Sequence, residues 1–310
     1  MKKVNVIFTA LTLFGLMTGC GGSGGGNTNT ATPAITFTFT HTVKEWMSDG
    51  KDLKIIYIGG SGTASIDWGD GSPVETVTLS PITWNDFSNE SFWYCETETK
   101  TEHNYSQATT YSVRISGENI TAFCCRRLNI DSLTINTPTL KELDCSDNKL
   151  TTLDISKIPA LERLNCFRNP LKNLDVSKNT ALKALCSAEN QLTTLNVSAN
   201  TALEELNCSH NSLTTLNLSK NIKLRNLNYG SNNIKSIDIS NNKNLYRISC
   251  RFNRLSVEEL NALFRSLPEP ADGEKLYMID IMYNEGTDTC DWSIAEERGW
   301  DVYVNYGEAG

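Results

Sequence analysis

The chain has 310 residues, a formal charge of −8, and 39% apolar against 21% charged residues. That is the balance of a folded, water-facing protein rather than a disordered or multi-spanning one. No basic run is present, which excludes an ordinary nucleic-acid binder. With only His41, His103 and His210, there is little material for a His-built metal site or a catalytic triad, and no cofactor is expected.

Lys2 and Lys3 precede an apolar run over 4–16. The run is shorter than the roughly 20 residues a membrane span needs, and it has the layout of a secretion signal. It ends in Met17-Thr18-Gly19-Cys20, which resembles the lipobox of bacterial lipoproteins, with Met17 where Leu is commoner. The resemblance implies a signal peptide over 1–19, cleavage before Cys20 and lipidation of Cys20. Residues 20–33 then form the acylated Cys and a Gly-rich tether, GGSGGGNTNTAT over 21–32, with a reach of roughly 20 Å as a flexible coil. The expected address is the cell envelope of a Gram-negative, Bacteroidetes-like bacterium, lipid-anchored to the outer membrane, with the periplasmic and the extracellular side both open.

Residues 34–117 alternate apolar and polar over short stretches (ITFTFT, LKIIYIG, SIDWGD, ETVTLS, YSVRIS). Turn residues between them predict an antiparallel sandwich of about seven strands. The segment SIDWGDG at 65–71, and His103-Asn104-Tyr105 followed by Thr110-Tyr111-Ser112-Val113-Arg114-Ile115, resemble the signatures of Ig-like PKD-type domains. Asp67 and Asp70 read as turn residues rather than as a carboxylate pair, since Asp-Gly is a hairpin signal. By the resemblance, His103 holds a structural strand position. Residues 80–102 depart from the pattern as an insertion rich in aromatics. It either folds over the junction with the first repeat or presents Trp84, Trp93 and Tyr94 as a glycan patch.

Leu140, Leu161, Leu182, Leu203, Leu224 and Leu245 recur every 21 residues. Each unit carries an Asn at one place: Asn148, Asn169, Asn190, Asn211, Asn232 and Asn253. The pattern L-x-x-L-x-C-x-x-N-x-L resembles the leucine-rich repeat family and implies a solenoid over 118–255. One unit cannot bury its own apolar face, but stacked units can. The repeating Asn, buried in such a stack, needs backbone partners in its own and neighbouring coils. A second ladder, Asn179, Asn200, Asn221 and Asn242, marks the opposite corner, with Ile158 in its first place. Ile120, Phe123, Cys125, Ile130, Leu133 and Ile135 fit a terminal unit. The convex half of each coil is expected to be extended rather than helical. Cys125, Cys145, Cys166, Cys208 and Cys250 share one position with Ser187 and Tyr229. A file of cysteines neither converges on a metal nor points its Cβ vectors at one another, so these residues read as small core fillers. Cys186 falls one position early and is expected to project from the concave sheet.

After Leu255 the period changes. Ser256-Val257-Glu258-Glu259 has the form of a capping box. Val257, Leu260, Leu263, Phe264 and Leu267 share one helical face, and Pro268 ends it. An extended run over 276–282, a loop with Asn284 and Gly286, a short helix after Asp291 and a strand over 300–306 complete a cap over 256–310. The string is similar to the closing segment of Bacteroidetes repeat proteins, with Glu285 where Pro is usual. The expected fold is therefore mainly β: an Ig-like or PKD-type sandwich, a leucine-rich-repeat solenoid and an α/β C-terminal cap.

Such an array presents one concave face, with Arg163, Phe167 and Arg168 near one end, His210 in the middle, and Tyr246, Arg247, Arg251 and Phe252 near the other. Arg and aromatic residues dominate interface energetics. Resemblance to internalin-like bacterial proteins implies a protein partner on a host or bacterial surface. Glycan capture through the aromatic insertion is the alternative. No G-x-S-x-G, H-E-x-x-H or P-loop is present, so an enzyme is not expected.

Overall fold

The computed structural model describes residues 34–41, 52–81, 83–85, 94–96, 99–270 and 276–304. Cys20, the expected signal and tether through residue 33, and Trp93 lie outside them. The fold is mainly β, with an N-terminal antiparallel part and a leucine-rich-repeat-type solenoid, as the alternation and the 21-residue period lead one to expect.

The N-terminal strands are β1 (Ile35–Thr40), β2 (Asp52–Ser61), β3 (Thr63–Asp67), β4 (Glu75–Thr78), β5 (Thr83–Asn85), β6 (Tyr94–Glu96), β7 (Lys100–Tyr105) and β8 (Thr110–Ser116). The period-2 pattern turns Ile35, Phe37 and Phe39 of β1 inward, and Tyr111, Val113 and Ile115 of β8 beside them. Ile56 and Ile58 of β2 are buried in the same cluster. β5 and β6 pair as a short ribbon carrying Trp84 and Tyr94.

β9 (Asn119–Cys124) and β10 (Ile130–Ile135) form the first coil. β9 pairs antiparallel with β2 on one side and parallel with β11 (Glu142–Asp144) on the other. β10 pairs antiparallel with β1, Ile35 opposite Ile135. The two faces of the first coil thus continue both antiparallel layers, and one apolar cluster runs from Ala34 to Trp300. The parallel ladder continues through β12 (Arg163–Asn165), β13 (Ala184–Cys186), β14 (Glu205–Asn207), β15 (Asn226–Asn228) and β16 (Arg247–Ser249), then β17 (Met278–Asp280) and β18 (Asp301–Tyr303). The register is uniform: Leu143, Leu164, Leu185, Leu206, Leu227, Ile248, Ile279 and Val302 follow one another across the sheet. Burying one such side chain stabilises by about 1.5–3 kcal/mol.

Both asparagine ladders are bonded, and their members are buried except for the half-buried Asn190 and Asn211. Asn169 Oδ1 accepts from Leu150 N at 3.0 Å, while its Nδ2 donates to the carbonyls of Cys145, Cys166 and Phe167 at 3.0, 3.2 and 3.3 Å. At the opposite corner Asn200 Nδ2 donates to Val176 O and Asn179 O at 3.0 and 2.8 Å. These side chains replace a second sheet. Among the described residues no convex half-coil after β10 contains a helix until residue 257, and none forms a paired strand.

The cap grows from the stack. α1 (Val257–Ser266) begins at Ser256, whose Oγ accepts from Glu259 N at 3.3 Å and hydrogen-bonds the Glu258 carboxylate at 2.8 Å. Leu260, Leu263 and Phe264 are its buried face. After α1 the coil resumes, and Asn284 becomes a further ladder rung. It accepts from Leu255 N and donates to the carbonyls of Cys250 and Ile281. Gly286 lets that loop run against the helix start, where a Cβ would lie 2.3 Å from Val257 N. α2 (Ser293–Glu296) and the buried Trp300, whose Nε1 donates to Pro268 O at 2.8 Å, close the end.

Candidate interaction face

Alternate residues of each short parallel strand point away from the core. One row holds Glu142, Arg163, Ala184, Glu205, Asn226 and Arg247, and the next holds Asp144, Asn165, Cys186, Asn207, Asn228, Ser249 and Asp280. The Asx residues of the second row cap the strand ends locally. Their Oδ1 atoms accept the N–H two residues on, from Ser146 at 2.9 Å to Met282 at 3.2 Å.

Beyond the strands the chain turns through a left-handed residue in coil after coil. Arg127, Asp147, Arg168, Glu189, His210, Ser231, Phe252 and Tyr283 all have φ between 50° and 60°. From Asp147 on, each is followed by a ladder Asn, in the order Asn148, Asn169, Asn190, Asn211, Asn232, Asn253 and Asn284. The left-handed turn swings that Asn inward while the preceding N–H bonds the next coil, for example His210 N to Gly230 O at 2.9 Å. Bulky side chains adopt this backbone at a cost that Gly or Asn largely avoids. The residues found there form a ridge along one margin of the face.

The first half of that ridge satisfies itself. Arg127 donates to Asp147 at 3.2 Å, Arg168 reaches Asp147 at 3.2 Å, and Arg168 also makes two bonds to Glu189, at 2.8 and 3.2 Å. Phe167 turns down onto the sheet with Ala184, Cys186 and Ala188 and is 8% exposed. The Arg168 guanidinium lies 4.8 Å from its ring. Cys186 does leave the core side of the sheet, yet it is buried in this cluster, and burial pushes its thiol up to about 12. Arg163 is half-buried on β12.

The far half is different. Phe252 and Tyr283 are 46% and 57% exposed and stack at 4.2 Å with 13° between their planes. Tyr246 is half-buried with Tyr277 edge-on at 6.4 Å. Arg251 lies 3.9 Å from Asp280, a loose pair, and Arg247 is half-buried on β16. His210 is exposed at the centre of the ridge. The sequence pattern alone does not single out Tyr283. Its signal is the Tyr-Asn pair at 283–284, which repeats Phe252-Asn253 after the helix of the cap interrupts the 21-residue spacing.

Two carboxylates on β11 are unusual. Burial raises Glu142 to about 7, with Arg163 opposing, and its Oε2 has no hydrogen-bond partner among the described residues. Burial also raises Asp144, against the hydrogen bonds from Ser146. In the core, the cysteines of the repeated position are fully buried free thiols, and burial raises those at 145, 166, 208 and 250 well above the ordinary thiol range. Among the described residues no three His, Cys, Asp or Glu side chains gather as a metal site.

In the N-terminal layers Trp68 stacks on His103 at 4.9 Å and 13°, and His103 Nε2 lies 2.7 Å from Asp70 Oδ2. Partial burial works to raise the Asp70 carboxyl, but hydrogen bonds from Ser72 and His103 hold it at about 2. Tyr105 donates to Trp68 O at 2.8 Å. The cluster ties the β3–β4 connection to β7.

A family model described as leucine-rich repeats (2 copies) matches residues 138–179. No curated protein matches the chain. Similar solved structures include the functional domain of InlJ from Listeria monocytogenes, which includes a cysteine ladder. It has 24% identity and TM-score 0.41, with 64% of this chain and 56% of that one covered. Internalin C2 from the same organism has 20% identity, TM-score 0.48, and coverage of 60% and 81%. The internalin InlF has 16% identity, TM-score 0.44, and coverage of 60% of each chain. The chain thus spans about half the length of the InlJ domain.

Proposed function

We propose that this protein is a lipid-anchored recognition protein of the bacterial envelope that binds a protein partner across the concave face of its repeat array. The observation that carries the reading is the uniform register of β11–β17, which lines up outward-facing side chains as continuous rows. Such rows offer a broad surface with short polar side chains at the centre, Asn207, Ser209 and Asn228, and Arg and aromatic residues toward one end. That arrangement suits an extended contact area better than a closed reaction chamber. The Trp68–His103–Asp70 cluster supports a PKD-type identity for the N-terminal layers, which then serve as a spacer between Cys20 and the array. Cys20 behind a short apolar run supports the anchor.

The test is capture from host and bacterial surface extracts on the immobilised protein, compared with Asn226→Trp and Thr215→Trp. Asn226 is half-buried in the concave row and its Oδ1 makes no hydrogen bond among the described residues, so a bulky replacement obstructs the face without breaking a bond of that oxygen. Thr215 is exposed on the convex half of a coil. A partner lost with Asn226→Trp and kept with Thr215→Trp supports the reading. Equal capture by both variants refutes it.

A further inference from the structure

We propose that a groove on the convex side of the array, between the coils 182–202 and 203–223, is a binding site for a neutral oligosaccharide. The site lies away from the concave face and goes beyond the protein-binding reading. The groove has a volume of about 390 Å³ and is lined by Thr194, Leu195, Asn196, Ser198, Thr215 and Asn217. That volume falls within the range of small-molecule sites, about 300–1,000 Å³. None of the six side chains is ionisable. Thr194, Asn196, Thr215 and Asn217 are all exposed. Among the described residues, the two threonine hydroxyls and the Nδ2 groups of the two asparagines make no hydrogen bond.

The repeat itself shows that the coil does not require these residues. The place of Asn196 and Asn217 is held by Asp154, Asp175 and Asp238 in other coils. There the carboxylate accepts from Ser156 N, Ser177 N and Ser240 N at 3.0, 2.9 and 2.9 Å. Asn196 and Asn217 make the same bond through Oδ1, to Ser198 N and Ser219 N, both at 3.0 Å. The amide therefore adds nothing to the turn. What it changes is the other end of the side chain, where a charge is exchanged for N–H donors. Directly after Ser198, Ala199 stands where Lys157, Lys178 and Lys220 stand in other coils. These three losses of charge adjoin the same groove. An ion finds no counter-charge in its lining. An extended peptide needs a sheet edge or apolar pockets, and among the described residues the convex half-coils after β10 form no paired strand. A neutral sugar carries hydroxyl and ether oxygens around its rim and C–H groups on its faces. The free amide and hydroxyl groups match the first, and Leu195 the second.

The experiment follows the side-chain amide signals of the asparagines by NMR while the purified protein is titrated to millimolar concentrations of three probes. These are cellotriose, triacetylchitotriose and the anionic trigalacturonate. The expected result is a shift of the Asn196 and Asn217 Nδ2 signals with at least one of the two neutral trisaccharides. The concave Asn207 and Asn226 should stay in place, and trigalacturonate should move none of the four. Asn196→Asp combined with Asn217→Asp installs the residue of the other coils, so the Tm should be kept. Binding of the neutral sugar, read by saturation transfer to its protons, should weaken at least about tenfold. Thr215→Trp, which fills the groove, should weaken it as much. The site is overturned if neither neutral trisaccharide moves Asn196 and Asn217, or if trigalacturonate moves them equally. It is also overturned if the shifts fall on Asn207 and Asn226 instead, or if either variant binds the sugar as the unmodified protein does. Capture with Asn226→Trp judges the concave face separately, so either reading can fail while the other stands.

Discussion

Replacing Asn169 by Asp changes one atom of a buried side chain and reverses its chemistry. The Nδ2 of Asn169 donates to three carbonyls, of Cys145, Cys166 and Phe167, and the residue is 4% exposed. Aspartate keeps the acceptor for Leu150 N but points an acceptor at all three carbonyls. An ionised carboxylate without a partner in such a place costs about 3–5 kcal/mol, which for a folded unit of this size is a fall in Tm of about 10 °C. The same group relieves itself by taking up a proton, because an Asp hydroxyl can donate to one of the three. Its folded pKa therefore lies above the usual carboxylate value, and the penalty is complete above that pKa and shrinks as pH falls through it. Near pH 4 the remaining cost is the lost hydrogen bonds, about 1–3 kcal/mol. Paired thermal melts of the protein and of Asn169→Asp at pH 7.5 and pH 4 measure both quantities. A Tm difference near zero at pH 7.5, or one that grows toward acid pH, would refute the account of the asparagine ladder.

Other outcomes are expected on the same physical grounds. Leu206→Asp places a charge at a 2% exposed core position of β14 and should abolish the cooperative melt seen by circular dichroism, at a cost above about 4 kcal/mol. Glu142 is raised to about 7 from 4.5 by burial, so the folded state holds its proton longer, and stability falls as pH rises between those values. Glu142→Gln should therefore raise the urea midpoint at pH 8 and leave it unchanged at pH 4.5, and an equal gain at both pH values would contradict this. Cys20→Ala should move the protein from the detergent phase to the aqueous phase in Triton X-114 partitioning; unchanged partitioning would remove the anchor.

Much of the array is legible in the sequence because its period is strict. The leucines at 21-residue spacing enter one core and the asparagine rungs bond where the repeat requires. The features that escape a sequence reading depend on distance along the chain or on side-chain posture. The pairing of β1 with β10 joins Ile35 to Ile135, and no local pattern announces it. Asn284 continues the ladder, but α1 sits between it and Asn253 and hides the period. Phe167 and Phe252 occupy concave positions that look equally outward in sequence. Ala184, Cys186 and Ala188 give Phe167 an apolar bed to lie on, whereas Phe252 rests against the still more exposed Tyr283. The convex half-coils alternate like strands, yet the second asparagine ladder takes over the coil-to-coil bonds that a sheet would make.

The first coil is spliced into both antiparallel layers, and the last rung is covered by α1, α2 and Trp300, so each end of the stack has its own permanent closure. Every turn between them offers its successor the same template. Excising or duplicating 21 residues, such as 182–202, should therefore shorten or lengthen the molecule by about 4.8 Å while leaving both closures intact. The middle behaves as a ruler with interchangeable divisions, and a lineage could tune how far the protein reaches by copying a division rather than inventing one.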